Sequence, residues 1–173
     1  AEGSAADHPR VAGQALALND MGDMPRWLLR CLQVLGATWT SPNTVLGLLA
    51  GAASLARGAH WHWRGQDLAL VFHRVPWGKG GALTLGNVIL HTGDTLDSLC
   101  LTYAHQAGLG KEAPIRIGDH ERAHVYQYMV LGPLFLPLYL AFGGVSVRNR
   151  FERAADRYAQ SGRGWWPFRR TAS

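Results

Sequence analysis

Cysteine is scarce in this sequence of 173 residues, which has only Cys31 and Cys100. The two lie far apart, and neither has a second ligand at the spacing of a metal motif. This argues against a disulfide scaffold and against a zinc site built on cysteine. Free structural thiols are the expected state, and a reducing compartment is favoured.

Long uninterrupted apolar runs are also missing, although the chain has three apolar segments. Residues 27–39 and 43–57 are each shorter than the roughly 20 residues that a transmembrane helix needs. Residues 129–147 carry no charge, but prolines and glycines interrupt them. Gly47 and Gly51 have the spacing that lets helices approach closely in lipid. We expect apolar membrane-associated helical segments that dip into the bilayer or lie in its plane. A broken span and a buried pair of soluble helices are the alternatives.

Acidic side chains are few as well, 12 against 17 lysines and arginines, which gives a net charge of +5. Such a basic balance is typical of proteins that contact nucleic acid or an anionic membrane surface. The chain lacks a basic stripe with interleaved stacking aromatics. We therefore expect no nucleic-acid partner and favour membrane lipid.

Arginines follow the uncharged segment and are interleaved with Trp165, Trp166 and Phe168. Arginine next to an apolar segment marks the cytoplasmic side of a membrane, and tryptophan marks the interface. The pattern predicts an inner-membrane association with the basic C-terminal tail on the cytoplasmic side. A solvated basic tail on a soluble domain is the alternative.

Residues 1–23 lack the cationic start and the apolar run of a secretory signal. They are small, polar and rich in alanine and glycine, and Met24-Pro25-Arg26 looks like a native start. We interpret residues 1–23 as a disordered leader or cloning remnant, and residues 24–173 as a single domain. The sequence contains no internal repeat.

The pattern becomes strand-like between residues 60 and 91. Residues 60–64 and 68–75 flank a glycine-containing turn and predict a hairpin, and residues 82–91 predict a third strand. A short helix is expected around residues 96–106. With helical segments before and after them, these strands predict an α+β fold with a small antiparallel sheet.

Several histidines lie in or near these strands. His60 and His62 fall on one face of the first strand, and His73 ends the second. The neighbouring tryptophans favour a packed or interfacial sheet over a second metal site. His105 is expected to be solvated, with a role in polarising a carbonyl as the alternative.

The strongest chemical signal is an H-E-x-x-H motif formed by His120, Glu121 and His124. It lies in a helix that is expected to start near Ile117 and to end by Gly132, because a proline follows. Residues four apart lie on one helix face, so the two imidazoles would face one Zn²⁺. Glu121 would lie beside the metal, where it could take a proton from a zinc-bound water. Zinc lowers the pKa of such a water to about 7.

A third ligand is expected from the E-x-x-x-D pattern of Glu152 and Asp156. Enough residues separate Glu152 from His124 for the chain to turn back through a second, C-terminal helix. Asp156 lies on the same helix face and could accept the other ring N–H of a zinc histidine, which fixes its tautomer. The alternative role for Glu152 is at a helix N-terminus, reciprocating a cap at Asn149.

These patterns together resemble the gluzincin branch of the zinc metallopeptidases. Three strings also resemble small bacterial membrane-associated proteins: His120-Glu121-x-Ala123-His124-x-x-Gln127-Tyr128, Gly132-Pro133-Leu134-Phe135-Leu136-Pro137-x-Tyr139 and Asn149-x-Phe151-Glu152-x-x-Ala155-Asp156. The resemblance implies a zincin-like fold in which His120, His124 and Glu152 hold zinc and Glu121 is the base. It also implies a peptide substrate paired with the edge of the third strand.

Two functions follow from these observations. The first is a membrane-associated zinc-dependent hydrolase, a metallopeptidase in which Glu121 activates water and passes the proton to the leaving amine. The alternative is a non-catalytic accessory or structural subunit of a larger membrane protein complex that retains a zincin-like scaffold. The sequence leaves both open.

Overall fold

The computed structural model describes residues 25–78 and 80–168. In this part of the chain the elements are α1 (Arg26–Trp39), α2 (Ser41–Leu55), β1 (His60–Arg64), β2 (Ala69–His73), β3 (Ala82–Leu85), β4 (Val88–His91), β5 (Leu99–Cys100), α3 (Tyr103–Gln106), β6 (Ile115–Arg116), α4 (Ile117–Leu131), α5 (Phe135–Ala141) and α6 (Arg150–Ser161). The fold is α+β, as predicted. The prediction for residues 1–23 lies outside the described residues.

The main sheet has the strand order β1-β2-β4-β3. The predicted hairpin of β1 and β2 is confirmed, with His60 opposite His73, and β3 and β4 are also antiparallel. Strands β2 and β4, however, are parallel. The sheet is therefore mixed, and the prediction of an antiparallel sheet was wrong. The cause is the connection after β2. It places β3 one strand position away from β2, and β4 then fills the position between them.

Residues 82–91 form two strands and a turn, so the prediction of one strand was wrong. Leu85 pairs with Val88 across a two-residue loop whose first residue, Gly86, has φ 63°. Glycine adopts such a φ without steric cost. A side chain here would also meet the backbone of Thr44 in α2. The helix predicted around residues 96–106 is limited to α3, because Leu99–Cys100 pairs with β6 instead.

One face of the main sheet packs against α2. Gly47 and Gly51 of α2 approach the sheet so closely that an added Cβ would lie 2.7 Å from Val88 and 2.3 Å from the Phe72 ring. Phe72 and Val88 belong to a buried cluster beneath the helix. Burying each such side chain stabilises the folded state by about 1.5–3 kcal/mol. The small residues of α2 therefore dock it on the sheet.

The other face of the sheet packs against α4. Val71 and Ile89 form a buried cluster with Val125 of this helix. Asp67, at the β1–β2 turn, is 0% exposed and lies 2.6 Å from the Arg122 guanidinium, which ties the hairpin to the helix. The predicted helix bearing H-E-x-x-H is confirmed at Ile117–Leu131, and α6 packs against it.

The apolar segments form short helices. Residues 27–39 and 43–57 correspond to α1 and α2, of 14 and 15 residues, and the uncharged segment contains α5, of seven. None of the helices within the described ranges combines the length and apolarity that a membrane crossing requires. Near the C-terminus, Trp165 lies against Tyr126 and Phe168 against Phe151, so this aromatic segment contacts the rest of the fold.

Candidate metal centre

Helix α4 brings the two motif histidines together on one face. His120 and His124 are only 8% and 6% exposed, and their Nε2 atoms lie 3.1 Å apart. Both rings face Glu152 of α6. The helical spacing alone gives this pairing, because residues four apart stand one turn above the other.

Helix α6 brings a carboxylate to the same point. Asn149 caps the helix by accepting a hydrogen bond from Phe151 N at 2.9 Å, and its amide donates to the carbonyls of Tyr139 and Gly144. Glu152 is not needed for the cap contact, and its Oε2 lies 3.1 Å from His120 Nε2 and 3.4 Å from that of His124. The other oxygen of Glu152 accepts a hydrogen bond from the Tyr139 hydroxyl.

Hydrogen bonds at the far side of each ring orient the histidines. His120 Nδ1 lies 2.9 Å from Asp156 Oδ1, and His124 Nδ1 lies 2.8 Å from Gln127 Oε1. A carboxylate and an amide oxygen can only accept, so both Nδ1 atoms carry the proton. When the rings are neutral, each Nε2 then presents a lone pair towards the other and towards Glu152. A metal ion, or a proton on Nε2, would offset the repulsion between these converging lone pairs.

The spacing of the three donor atoms fits a metal ion. Their separations of 3.1, 3.1 and 3.4 Å are close to the roughly 3.3 Å that separates neighbouring ligands of a tetrahedral Zn²⁺ with bonds of about 2.0 Å. In the part of the chain that the structure describes, His120, His124 and Glu152 are the group of side chains close enough to hold an ion.

The electrostatics of the centre also favour positive charge. Burial alone would lower the pKa of His120, but its hydrogen bonds to Asp156 and Glu152 raise it to about 10. Burial opposes ionisation of Glu152, yet the facing imidazoles, His124 first, hold the pKa of its carboxyl well below the usual range. Burial and the nearby carboxylate of Glu152 raise the pKa of Tyr139, which keeps its hydroxyl protonated and able to donate.

Glu121 lies beside this group without belonging to it. Its side chain is 5% exposed, and Oε2 accepts a hydrogen bond from Thr84 Oγ1 at 2.6 Å. Thr84 comes from β3, so the sheet edge positions this carboxylate. Thr84 was not predicted as a site residue, because no local pattern links it to a residue 37 positions further on.

A narrow cleft of about 60 Å³ opens onto the donors. This is room for a few water molecules. Its walls are β3 residues, α4 residues and aromatic side chains: Ala82, Leu83, Thr84, Glu121, Tyr103, Tyr128 and Tyr139. The Tyr128 hydroxyl is buried and has no hydrogen-bond partner among the described residues. Tyr139 belongs to one of the sequence strings that resemble the known family, so the sequence pointed to it. Tyr103 and Thr84 lie outside these strings, and no sequence motif pointed to them.

The other histidines within residues 25–78 and 80–168 do not join the centre. His105 Nδ1 lies 2.9 Å from the carbonyl of Glu112, outside the cleft. His60 and His62 stack on His73, whose Nδ1 lies 3.1 Å from that of His91. These four histidines do not form a group of three donor atoms close enough to hold one ion. His91 went unnoticed in the sequence because the chain reversal at Gly86 was not predicted.

No protein-family model, no curated protein and no solved structure matches this chain. The chemistry of the centre follows from its own geometry. That geometry consists of two imidazole nitrogens and one carboxylate oxygen at metal-ligand spacing, a second carboxylate beside them and a cleft in front.

Proposed function

We propose that this protein is a zinc-dependent hydrolase of the metallopeptidase type, with a zincin-like site. One observation carries the proposal: the convergence of His120 Nε2, His124 Nε2 and Glu152 Oε2, with the Glu121 carboxylate next to them at the cleft. Two histidines and one glutamate leave a fourth position for substrate or water in catalytic zinc sites.

The donor set supports zinc over the other common divalent cations. Magnesium and calcium prefer shells made of oxygen, whereas His120 and His124 supply two neutral imidazoles. All three donor side chains are buried, so the protein shields the metal site from solvent except at the cleft. When bound, zinc would polarise a substrate carbonyl and lower the pKa of water.

Glu121 is the residue proposed to move protons. Its carboxylate lines the cleft and is held by Thr84, so it can accept the proton of an attacking water. As the C–N bond of the peptide breaks, the same group gives the proton to the leaving nitrogen. Water thus adds across the bond, and the products are a carboxylate and an amine.

The proposed substrate is an extended peptide. Strand β3 is an edge strand of the sheet, and it lines the cleft with Ala82, Leu83 and Thr84. An edge strand offers main-chain N–H and C=O groups that pair with an added strand. A peptide on this edge would cross the cleft beside Glu121, which favours peptide bonds as the bonds cleaved.

The test combines metal analysis with a substitution of the base. We expect about one zinc per chain and release of fluorescent fragments from labelled casein. In Glu121→Gln the zinc should remain, while the rate should fall by a factor of about 10² or more. Glu112→Gln, at an exposed position, is the matched control and should behave as wild type. A chain without stoichiometric zinc, or a rate unaffected by Glu121→Gln, would contradict the proposal.

A second candidate is the non-catalytic accessory subunit of a membrane protein complex. The observation that favours it is the narrowness of the site, whose three donors are 3–8% exposed behind about 60 Å³ of space. A structural zinc has no open position. Cobalt substitution separates the two functions. Acetohydroxamate should change the visible spectrum of an open cobalt site and leave that of a closed one unchanged.

A further inference from the structure

We propose that the outer face of α1 and α2 docks in the plane of an anionic lipid bilayer. This apolar face consists of Leu32, Leu35, Trp39, Val45, Leu46 and Leu49. The six side chains are 47–64% exposed. The inference is independent of the zinc chemistry proposed above.

Helix α2 has apolar or small residues on both sides, but the protein covers only one. The side on the sheet carries Gly47, Gly51 and Ser54, which are buried. The opposite side carries leucines, and Leu49 is 64% exposed. A helix that is hydrophobic all round is normally surrounded by apolar material. The outer side of α2 therefore needs a further covering layer.

Helix α1 extends the same surface. Its contacts with the fold are made through Gly36, against Met129, and through Trp39, against Gly132. Leu35 remains 64% exposed. Monomeric proteins rarely expose apolar patches larger than a few hundred Å². Six large side chains that are about half exposed reach roughly the upper end of that range.

The charges around the apolar face identify the covering layer as anionic lipid. Arg26 and Arg30 lie in the N-terminal part of α1, and Arg57 follows α2. All three are exposed, and none is in an ion pair with a described residue. The sequence has no aspartate or glutamate between residues 24 and 66. Arginines next to apolar residues suit a negative membrane surface. A second copy of the chain would instead bring its own arginines against these, because a two-fold interface places the same patch on both sides.

The lengths of the helices determine how they would lie. Helices of 14 and 15 residues are about 21–23 Å long, which is less than the roughly 30 Å of a bilayer core. Helix α1 packs on α4 and α2 packs on the sheet, so both would lie in the membrane plane. Trp27 and Trp39, 66% and 51% exposed, stand at the two ends of α1. Tryptophan prefers the interface between lipid and water.

The test is co-sedimentation of the full chain with vesicles. One set contains phosphatidylcholine only, and the other also contains phosphatidylglycerol, at about 30%. We expect binding to the anionic vesicles. Leu49→Glu should weaken it more than tenfold, because it removes an exposed leucine that would enter the bilayer and adds a negative charge that anionic lipid repels. Arg30→Gln should weaken it about fivefold, on anionic vesicles alone.

The matched control is Leu109→Glu, at a leucine that is 73% exposed outside the apolar face. It should bind vesicles as wild type does. No binding to either vesicle, or equal binding by wild type and Leu49→Glu, would overturn the inference. A dimer that Leu49→Glu dissociates would also overturn it, since the face would then cover a second copy. Zinc content, measured in the same samples, shows whether the metal chemistry fails separately.

Discussion

Asp156 is the residue through which the metal centre can be tested without touching a ligand. Its Oδ1 lies 2.9 Å from His120 Nδ1, and both residues are 8% exposed. In Asp156→Ala the ring N–H loses its acceptor, and the imidazole can adopt the tautomer whose proton blocks Nε2. Removing the carboxylate partner of a metal-binding histidine typically weakens metal affinity about 10- to 100-fold. This corresponds to about 1.4–2.7 kcal/mol of zinc binding free energy.

The assay is a zinc titration in competition with a chromophoric chelator at pH 7. Asp156→Asn is the companion variant, because its amide oxygen still accepts from Nδ1 and only the charge is lost. We expect a weakening of about tenfold or less for Asp156→Asn and a larger one for Asp156→Ala. Asp119→Ala, at a partly exposed aspartate 3.3 Å from Arg122, is the control and should bind zinc as wild type does. An affinity of folded Asp156→Ala within twofold of wild type would refute the tautomer argument.

Two further predictions concern the sheet. Burial, with His91 and His62 nearby, lowers the pKa of His73 to about 4, so the unfolded chain binds more protons between pH 6.5 and 4. Stability should therefore fall by roughly 1–2 kcal/mol as the pH drops through that range, and His73→Gln should lack this part of the loss in urea unfolding. An unchanged pH dependence in His73→Gln would contradict the assignment. Gly51→Ala should cost about 1–3 kcal/mol in thermal unfolding, because its Cβ would lie 2.3 Å from the Phe72 ring. In Gly65→Ala the Cβ would make only an ordinary contact, 3.5 Å from the Trp63 indole nitrogen, so this variant should be tolerated. Equal losses in the two variants would show that the docking of α2 is not tight.

The helix that bears the motif was predictable because its signals are local. Spacing by four residues places His120 and His124 on one face, and a following proline ends the helix near Gly132. The cap at Asn149 is equally local. The β1–β2 hairpin followed from alternation on both sides of a short turn.

The wrong predictions concern strands whose bounds and pairing depend on residues far away in the sequence. Gly86 and Asn87 turn the chain under α2, and nothing in residues 82–91 alone distinguishes this from a continuous strand. The parallel pairing of β2 with β4 depends on which strand position the chain skips. Leu99–Cys100 became a strand because β6 was available as a partner.

The sequence by itself determined which side chains could serve as metal donors, since ligand type and helical period are properties of short segments. Only the tertiary structure decided that Glu152 turns its carboxylate towards the two imidazoles, and that Thr84 holds Glu121. It also decided which side of α2 is left uncovered, because the sheet buries the glycines and leaves Leu49 outside. The physical reason is that contacts between residues far apart in sequence depend on how whole elements pack, and packing is set by the shape and burial of many side chains at once.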